Sequence, residues 1–223
     1  MEALSKTNAY RLTKGSPSGV DKHNRGAIRK IYLCSMTLHI IHLPERIDRL
    51  ELLQKELEQE SITDYKIWNG IVDPSKTARG ISRSHKQIVR FALENGLTEV
   101  LIGEDDLHFT APGAFAYFMS QKPTDYDIYL GGPSHGKLDA ANKVNDFAGL
   151  LLYVIHHRFY ETFLSIPENQ HIDRGLRYKG EFIVCNPWPV IEHSGYSDNL
   201  KEYCDSSIFY GHRKLFGHGL LGF

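Results

Sequence analysis

The stretch Thr98–Phe109, read as T-E-V-L-I-G-E-D-D-L-H-F, limits what this chain can fold into more than any other. Val100, Leu101 and Ile102 form a short apolar run, the kind a buried strand makes. Gly103 lets the backbone turn or approach a ligand closely. Glu104, Asp105 and Asp106 then follow without a break. Three adjacent anions repel one another, and ending a buried strand with them is costly unless a cation or water receives them. Side chains alternate along an extended chain, so Glu104 and Asp106 can point the same way. Two oxygen ligands on one side suit Mg²⁺ or Mn²⁺ holding a diphosphate. The plain alternative is a solvated acidic turn after a strand, and a bare E-D-D does not separate the two.

The flanking sequence alternates strand and helix patterns. Leu38–Leu43 reads as the first clear strand, ended by Pro44, and residues 45–50 open a helix with Leu50, Leu53 and Leu57 at helical spacing. Residues 65–72 read as a second strand, with Asn69-Gly70 as punctuation. A loop from Asp73-Pro74 to Gly80 precedes a helix over 81–95, in which Ile81, His85, Ile88, Val89, Ala92 and Leu93 share a face and Asn95-Gly96 is the stop. After the acidic strand come a helix near 112–121, a strand at 127–130 closed by Gly131-Gly132, a polar loop over 133–146 and a strand-type run over 147–155. A helix over 156–165 and a last short strand at 182–184 complete the pattern. Such alternation predicts an α/β domain over 31–223 with a mostly parallel sheet and helices on both faces. Ligands of such sheets bind at the carboxyl ends of the strands. Residues 43–46, Asn69-Gly70, Glu104–Asp106 and Gly131-Gly132 all fall at such ends.

The remaining sequence removes other classes. With 26 basic and 27 acidic residues the chain is close to neutral, which argues against a general nucleic-acid binder. Cys34, Cys185 and Cys204 are odd in number and far apart, so neither a disulfide framework nor a C-x-x-C zinc site can be built from them, and a reducing, cytoplasmic setting is expected. No apolar run approaches the roughly 20 residues of a membrane span. Residues 1–30 are turn-rich and mainly basic and read as a flexible appendage, with a tether to anionic lipid at the inner face of a membrane, or to nucleic acid, as the functional alternative.

Four motifs in order carry a resemblance. His42-Leu43-Pro44-Glu45-Arg46-x-Asp48-Arg49, Gly80-x-x-x-Ser84-His85, Val100-Leu101-Ile102-x-Glu104-Asp105-Asp106 and Tyr126-Asp127-x-Tyr129-Leu130-Gly131 together resemble glycosyltransferase family 25, the lipooligosaccharide and collagen galactosyltransferases. The family's opening Asn-Leu-x-x-Arg-x-x-Arg is matched except that His42 replaces Asn, and its Leu-Glu-Asp-Asp is matched with Gly103 before the acids. Its later Asp-x-x-Leu is similar to Asp173-Arg174-Gly175-Leu176, and its closing Pro…Ser-Asp to Pro189…Ser197-Asp198. The ordered matches cover residues 38–198. The resemblance implies a GT-A fold of Rossmann-like type, a UDP-sugar donor, Mn²⁺ or Mg²⁺, a glycan acceptor such as lipooligosaccharide, and inversion at the anomeric carbon.

In that frame Glu104 and Asp106 are expected to hold the cation, with His193 completing the shell, and Asp105 turns toward ribose or backbone donors. The donor site is expected to draw on His42, Pro44, Arg46, Arg49, Asn69, Gly70, Ser84, His85, Glu104 and Asp105. Arg46 and Arg49 lie one helical turn apart, where they can hold diphosphate or stack on uracil, or simply form a solvated face pairing with Glu45 and Asp48. An inverting transfer needs a base for the acceptor hydroxyl; Asp173 is the first candidate, with Asp198 and Glu192 in reserve, and a helix N-cap is the structural alternative for Asp173. Competing with this enzyme are a degenerate transferase fold that binds without transferring, and a transferase acting on nucleic acid or protein.

Overall fold

A computed structural model of the protein describes residues 36–217. The basic appendage 1–30 lies outside the described residues. The first half of the domain comprises β1 (Leu38–His42), α1 (Ile47–Gln59), β2 (Tyr65–Asn69), α2 (Thr77–Glu94), β3 (Glu99–Glu104), β4 (Leu107–Phe109), α3 (Ala114–Ser120) and β5 (Ile128–Leu130). The second comprises β6 (His135–Gly136), β7 (Phe147–Ala148), β8 (Leu152–His156), α4 (Tyr160–Ser165), α5 (Ile172–Leu176), β9 (Phe182–Val184), β10 (Val190–Glu192), β11 (Gly195–Ser197), β12 (Glu202–Cys204) and α6 (Ser207–Tyr210).

A six-stranded sheet of order β2-β1-β3-β8-β5-β9 forms the centre. All its strands run parallel except β8, which pairs antiparallel with β3 on one side and β5 on the other. Alternation sends successive side chains to opposite faces. Leu38, Ile40, Leu101, Tyr129, Leu152 and Val154 pack on one side with Leu53 and Leu57 of α1 and Ala114 and Phe118 of α3. Val100, Ile102, Ile128, Leu130, Tyr153 and Ile155 pack on the other with α2, α4 and α5, through Ile88, Val89, Phe163, Ile172 and Leu176. The architecture is thus the expected α/β fold, a mostly parallel sheet with helices on both faces. No helix among the described residues is long and apolar enough to cross a membrane.

Several boundaries differ from expectation: β2 ends at Asn69 and not at 72, and the helix expected over 156–165 starts at Tyr160 because Leu152–His156 is a strand. Helix α2 starts at Thr77, not 81, because Asp73 Oδ1 accepts the Ser75 and Lys76 N–H groups and turns the chain into the helix early. The apolar run 147–155 is two strands: Gly149 takes φ +91°, a left-handed conformation suited to glycine, and separates β7 from β8. The strand at 182–184 is not the last, since β10, β11 and β12 follow. Within the 133–146 segment β6 pairs with β7.

Strand β10 pairs antiparallel with β4, the segment just after the acidic turn. This small ladder crosses the end of β5, and Gly131-Gly132 permits the crossing. A Cβ on Gly132 would stand 2.0 Å from the Val190 carbonyl oxygen. These glycines therefore serve strand packing, not a ligand. Gly132→Ala is expected to destabilise the protein by about 1–3 kcal/mol through overpacking against backbone, read as a lower midpoint in urea at unchanged slope.

Candidate functional site

The carboxyl ends of β1, β2 and β3 open on a cavity of about 620 Å³. Its wall contains Arg49, Gly70, Ser84, His85, Glu104, Asp105, Asp106, Asp173 and His193 of the residues expected from sequence. His42, Pro44, Arg46 and Asn69 do not line it. The antiparallel β8 brings the turn Ala148–Leu150 to the same rim, and β10 brings Glu192.

The middle acid is fixed from below. Asp105 is 4% exposed; its Oδ2 lies 2.8 Å from His42 Nδ1 and accepts the Leu43 N–H, and its Oδ1 accepts from Arg49 at 2.9 Å. Arg49 also reaches Asp106 Oδ2 at 2.9 Å and donates to the Tyr196 carbonyl at 3.2 Å. Arg46 is held by Asp48 at 2.7 and 2.9 Å and by Asp198 and the Tyr196 carbonyl. The two arginines thus grip the β11–β12 hairpin, and Asp198 is neutralised by Arg46.

Glu104 and Asp106 face the cavity. Glu104 leaves 31% of its side chain accessible, yet it stands deep in the fold, and desolvation, then the charges of Asp105 and Asp173, push its carboxyl up to about 8. Burial likewise pushes Asp106 up to about 7, against the pull of Arg49 and with the charges of Glu104 and Asp105 adding. Its Oδ1 is buried and makes no hydrogen bond. Glu192 is raised to about 8 by burial and by Asp106 and Glu104. Glu104, Asp106 and Glu192 thus line one cavity with raised carboxyls, and Asp106 Oδ1 among them has no hydrogen-bond partner.

These directions give a pH dependence. A carboxyl raised in the folded state favours folding while protonated, so its stabilisation is complete below the ordinary carboxylate range and is lost as pH rises through about 7–8. In the presence of chelator, thermal stability is expected to fall between pH 6 and pH 8.5, and added Mn²⁺ to reverse the loss most at the higher pH, measurable by scanning calorimetry.

His85 is fully enclosed: Nδ1 lies 3.0 Å from the Tyr153 hydroxyl and Nε2 lies 3.1 Å from Glu104 Oε1. Burial lowers its pKa to about 4, so the ring is neutral. The Tyr153 phenol, raised by burial and by Glu104, keeps its proton. His85 is thus a neutral imidazole held between the Tyr153 hydroxyl and the Glu104 carboxyl. Ser84 ties the cavity wall to α2, accepting the Ile71 N–H at 2.7 Å and donating to the Gly80 carbonyl at 2.9 Å.

Asp173 lies in the first turn of α5, whose N-cap is His171, so it is not itself the cap. Its Oδ2 accepts the Gly149 N–H at 2.8 Å, joining α5 to the turn before β8. His193 donates its backbone N–H to the Asp106 carbonyl at 2.8 Å, but its ring meets Glu56 and His108. Sequence reasoning missed Glu56 and His108 as partners. Glu56 carried a usable signal: it lies on the same face of α1 as Leu53 and Leu57, where a carboxylate needs a reason to be.

No protein-family model matches the chain, and no curated protein matches it in sequence. Among solved structures it is similar to A197 from STIV (TM-score 0.45, 14% identity, covering 76% of this chain and 93% of that one). It is also similar to a glycosyltransferase involved in the glycosylation of the major capsid of PBCV-1 (TM-score 0.42, 16% identity, 68% and 82% covered). A third is a mutant Drosophila beta-1,4-galactosyltransferase 7 in complex with manganese, UDP-Gal and xylobiose (TM-score 0.38, 13% identity, 57% and 51% covered). Likenesses at this level assign no activity.

Proposed function

We propose that the protein is a GT-A-type glycosyltransferase that moves a hexose from a nucleoside diphosphate sugar, UDP-linked by the family 25 resemblance, to a hydroxyl of a glycan. The observation that carries this reading is the convergence of Glu104, Asp106 and Glu192 on one cavity at the carboxyl ends of parallel strands. An acidic cavity repels a diphosphate unless a cation lies between them. Glu104, Asp106 and Glu192 would hold Mn²⁺ or Mg²⁺, which when bound supplies charge neutralisation for a diphosphate leaving group.

The chain's own residues divide the remaining work. Arg49, beside Asp106 and at the cavity wall, faces the region where the diphosphate would lie. His42 and Arg49 hold Asp105 in place, so the acidic turn is rigid before any ligand arrives. His85 and Tyr153 orient Glu104 from behind. Asp173, held by the Gly149 N–H at the cavity wall, would take the proton of the acceptor hydroxyl as it attacks the anomeric carbon. Asp198 is a weaker base candidate because Arg46 neutralises it. Tyr196, 47% exposed beside the cavity, offers a ring face to the acceptor.

A second reading, a nucleotide-binding protein without transfer, is favoured by one observation. Arg49 already bridges Asp105 and Asp106 and supplies an internal positive charge at the acidic turn. The two are separated by release of free nucleotide from a panel of UDP-, GDP- and CDP-hexoses with Mn²⁺, Mg²⁺ or chelator. The transferase releases nucleotide from one donor class only when metal is present. Binding without release from any donor supports the second reading.

A further inference from the structure

Beside the cavity, and not through its carboxylates, lies a second set of metal-type ligands. Glu56 of α1, His108 of β4 and His193 just after β10 offer one ligand atom each, all within 4.8 Å of one another. His108 Nδ1 lies 2.7 Å and His193 Nε2 3.2 Å from the same Glu56 oxygen, Oε1, and the two imidazoles are tilted together with centroids 4.6 Å apart.

Three features distinguish this from an ordinary carboxylate–histidine pair. First, the acid is buried at 4% exposure, and its other oxygen, Oε2, is fixed by the Phe109 N–H at 2.9 Å. Outer hydrogen bonds of this kind orient a metal-binding carboxylate. Second, His193 Nε2 is buried, lies 3.2 Å from the carboxylate and makes no hydrogen bond. Third, the three residues come from separate elements held rigidly by the β4–β10 ladder and by α1 packed on β4.

We propose that Glu56, His108 and His193 form a zinc site, with one coordination position left for water or another ligand. Two imidazole nitrogens and one carboxylate oxygen are a donor set zinc accepts, at metal–ligand distances of about 2.0–2.2 Å. Ligand atoms around such a tetrahedral ion stand about 3.4 Å apart. The 3.2 Å edge between Glu56 and His193 is already near that value, and the 2.7 Å edge to His108 needs only a small opening. His108 is 41% exposed, which gives the ion a way in. A cation here would clamp α1 to the β4–β10 ladder and so fix the chain on both sides of Asp106. The site does not depend on the transferase reading.

The test is titration of the chelator-treated full chain with Zn²⁺ by calorimetry and with Co²⁺ by visible absorption. The wild-type protein is expected to bind one equivalent here, besides any taken by the cavity carboxylates, and this equivalent gives the intense visible bands of tetrahedral Co²⁺. His108→Ala and His193→Ala should each weaken binding at least tenfold and remove those bands, while Asp106→Asn keeps them. Thermal melts with and without Zn²⁺ guard against misfolding: a folded His108→Ala protein should melt cooperatively and lose the Zn²⁺-induced rise in Tm. Absence of binding to the wild type, unchanged binding in both histidine variants, or bands lost only in Asp106→Asn would each overturn the proposal. The last of these would place the ion among the cavity carboxylates and leave the transferase reading standing.

Discussion

Asp106→Asn is expected to abolish metal-dependent nucleotide binding and to lower transfer by about 10²–10³-fold, the range seen when one group that stabilises developing charge is removed. The same substitution should not destabilise the protein. Asparagine removes a charge that burial disfavours, and relieves Glu192 of a neighbour that raises it. Arg49 retains Asp105 as its partner. At pH 8 with chelator the variant should therefore melt at or above the wild-type temperature while losing Mn²⁺-dependent UDP binding. Calorimetric melting and a nucleotide titration on one preparation check both halves. A drop in both would show that Asp106 is structural and nothing more.

Asp173→Asn is the second large effect. The amide oxygen can still accept the Gly149 N–H, so the turn before β8 keeps its anchor. What is lost is the ability to take a proton. Turnover should fall by about 10²–10⁴-fold, the usual contribution of a positioned general base, with donor affinity unchanged. Steady-state kinetics with an identified donor and acceptor would show the loss in kcat and not in donor KM. A donor KM that rose with kcat unchanged would make Asp173 a binding group, and Glu192 would become the base to test next.

The sheet was largely legible in the sequence because period-two and period-3.6 patterns are local. The runs around Leu38, Val100 and Ile128 are strands, and the Leu53–Leu57 stripe is a helix face packed on them. Legibility failed where the determinant was tertiary. Nothing local says that Leu152–His156 runs opposite to its neighbours and inserts between β3 and β5, since a strand's direction lies in its connections. The β4–β10 ladder was invisible because each of its strands is three residues long and they are paired across more than 80 positions of chain. That ladder carries Glu192 to the acidic turn and directs the His193 ring to Glu56, so the third partner of the carboxylates and the partners of His193 could not be read before the fold. Asp105 shows the opposite case. A carboxylate in the middle of such a turn must point away from its neighbours, and it does, toward His42, Leu43 and Arg49.

The central claim is that the acidic turn is a metal-dependent nucleotide site. Its most direct test is calorimetric titration of UDP into the wild-type protein at pH 8, once with Mn²⁺ and once with chelator. Saturable 1:1 binding with Mn²⁺ and none with chelator is the predicted result. Equal binding under both conditions would show that Arg49 and its neighbours hold the nucleotide without a cation, and would contradict the role assigned to Glu104, Asp106 and Glu192.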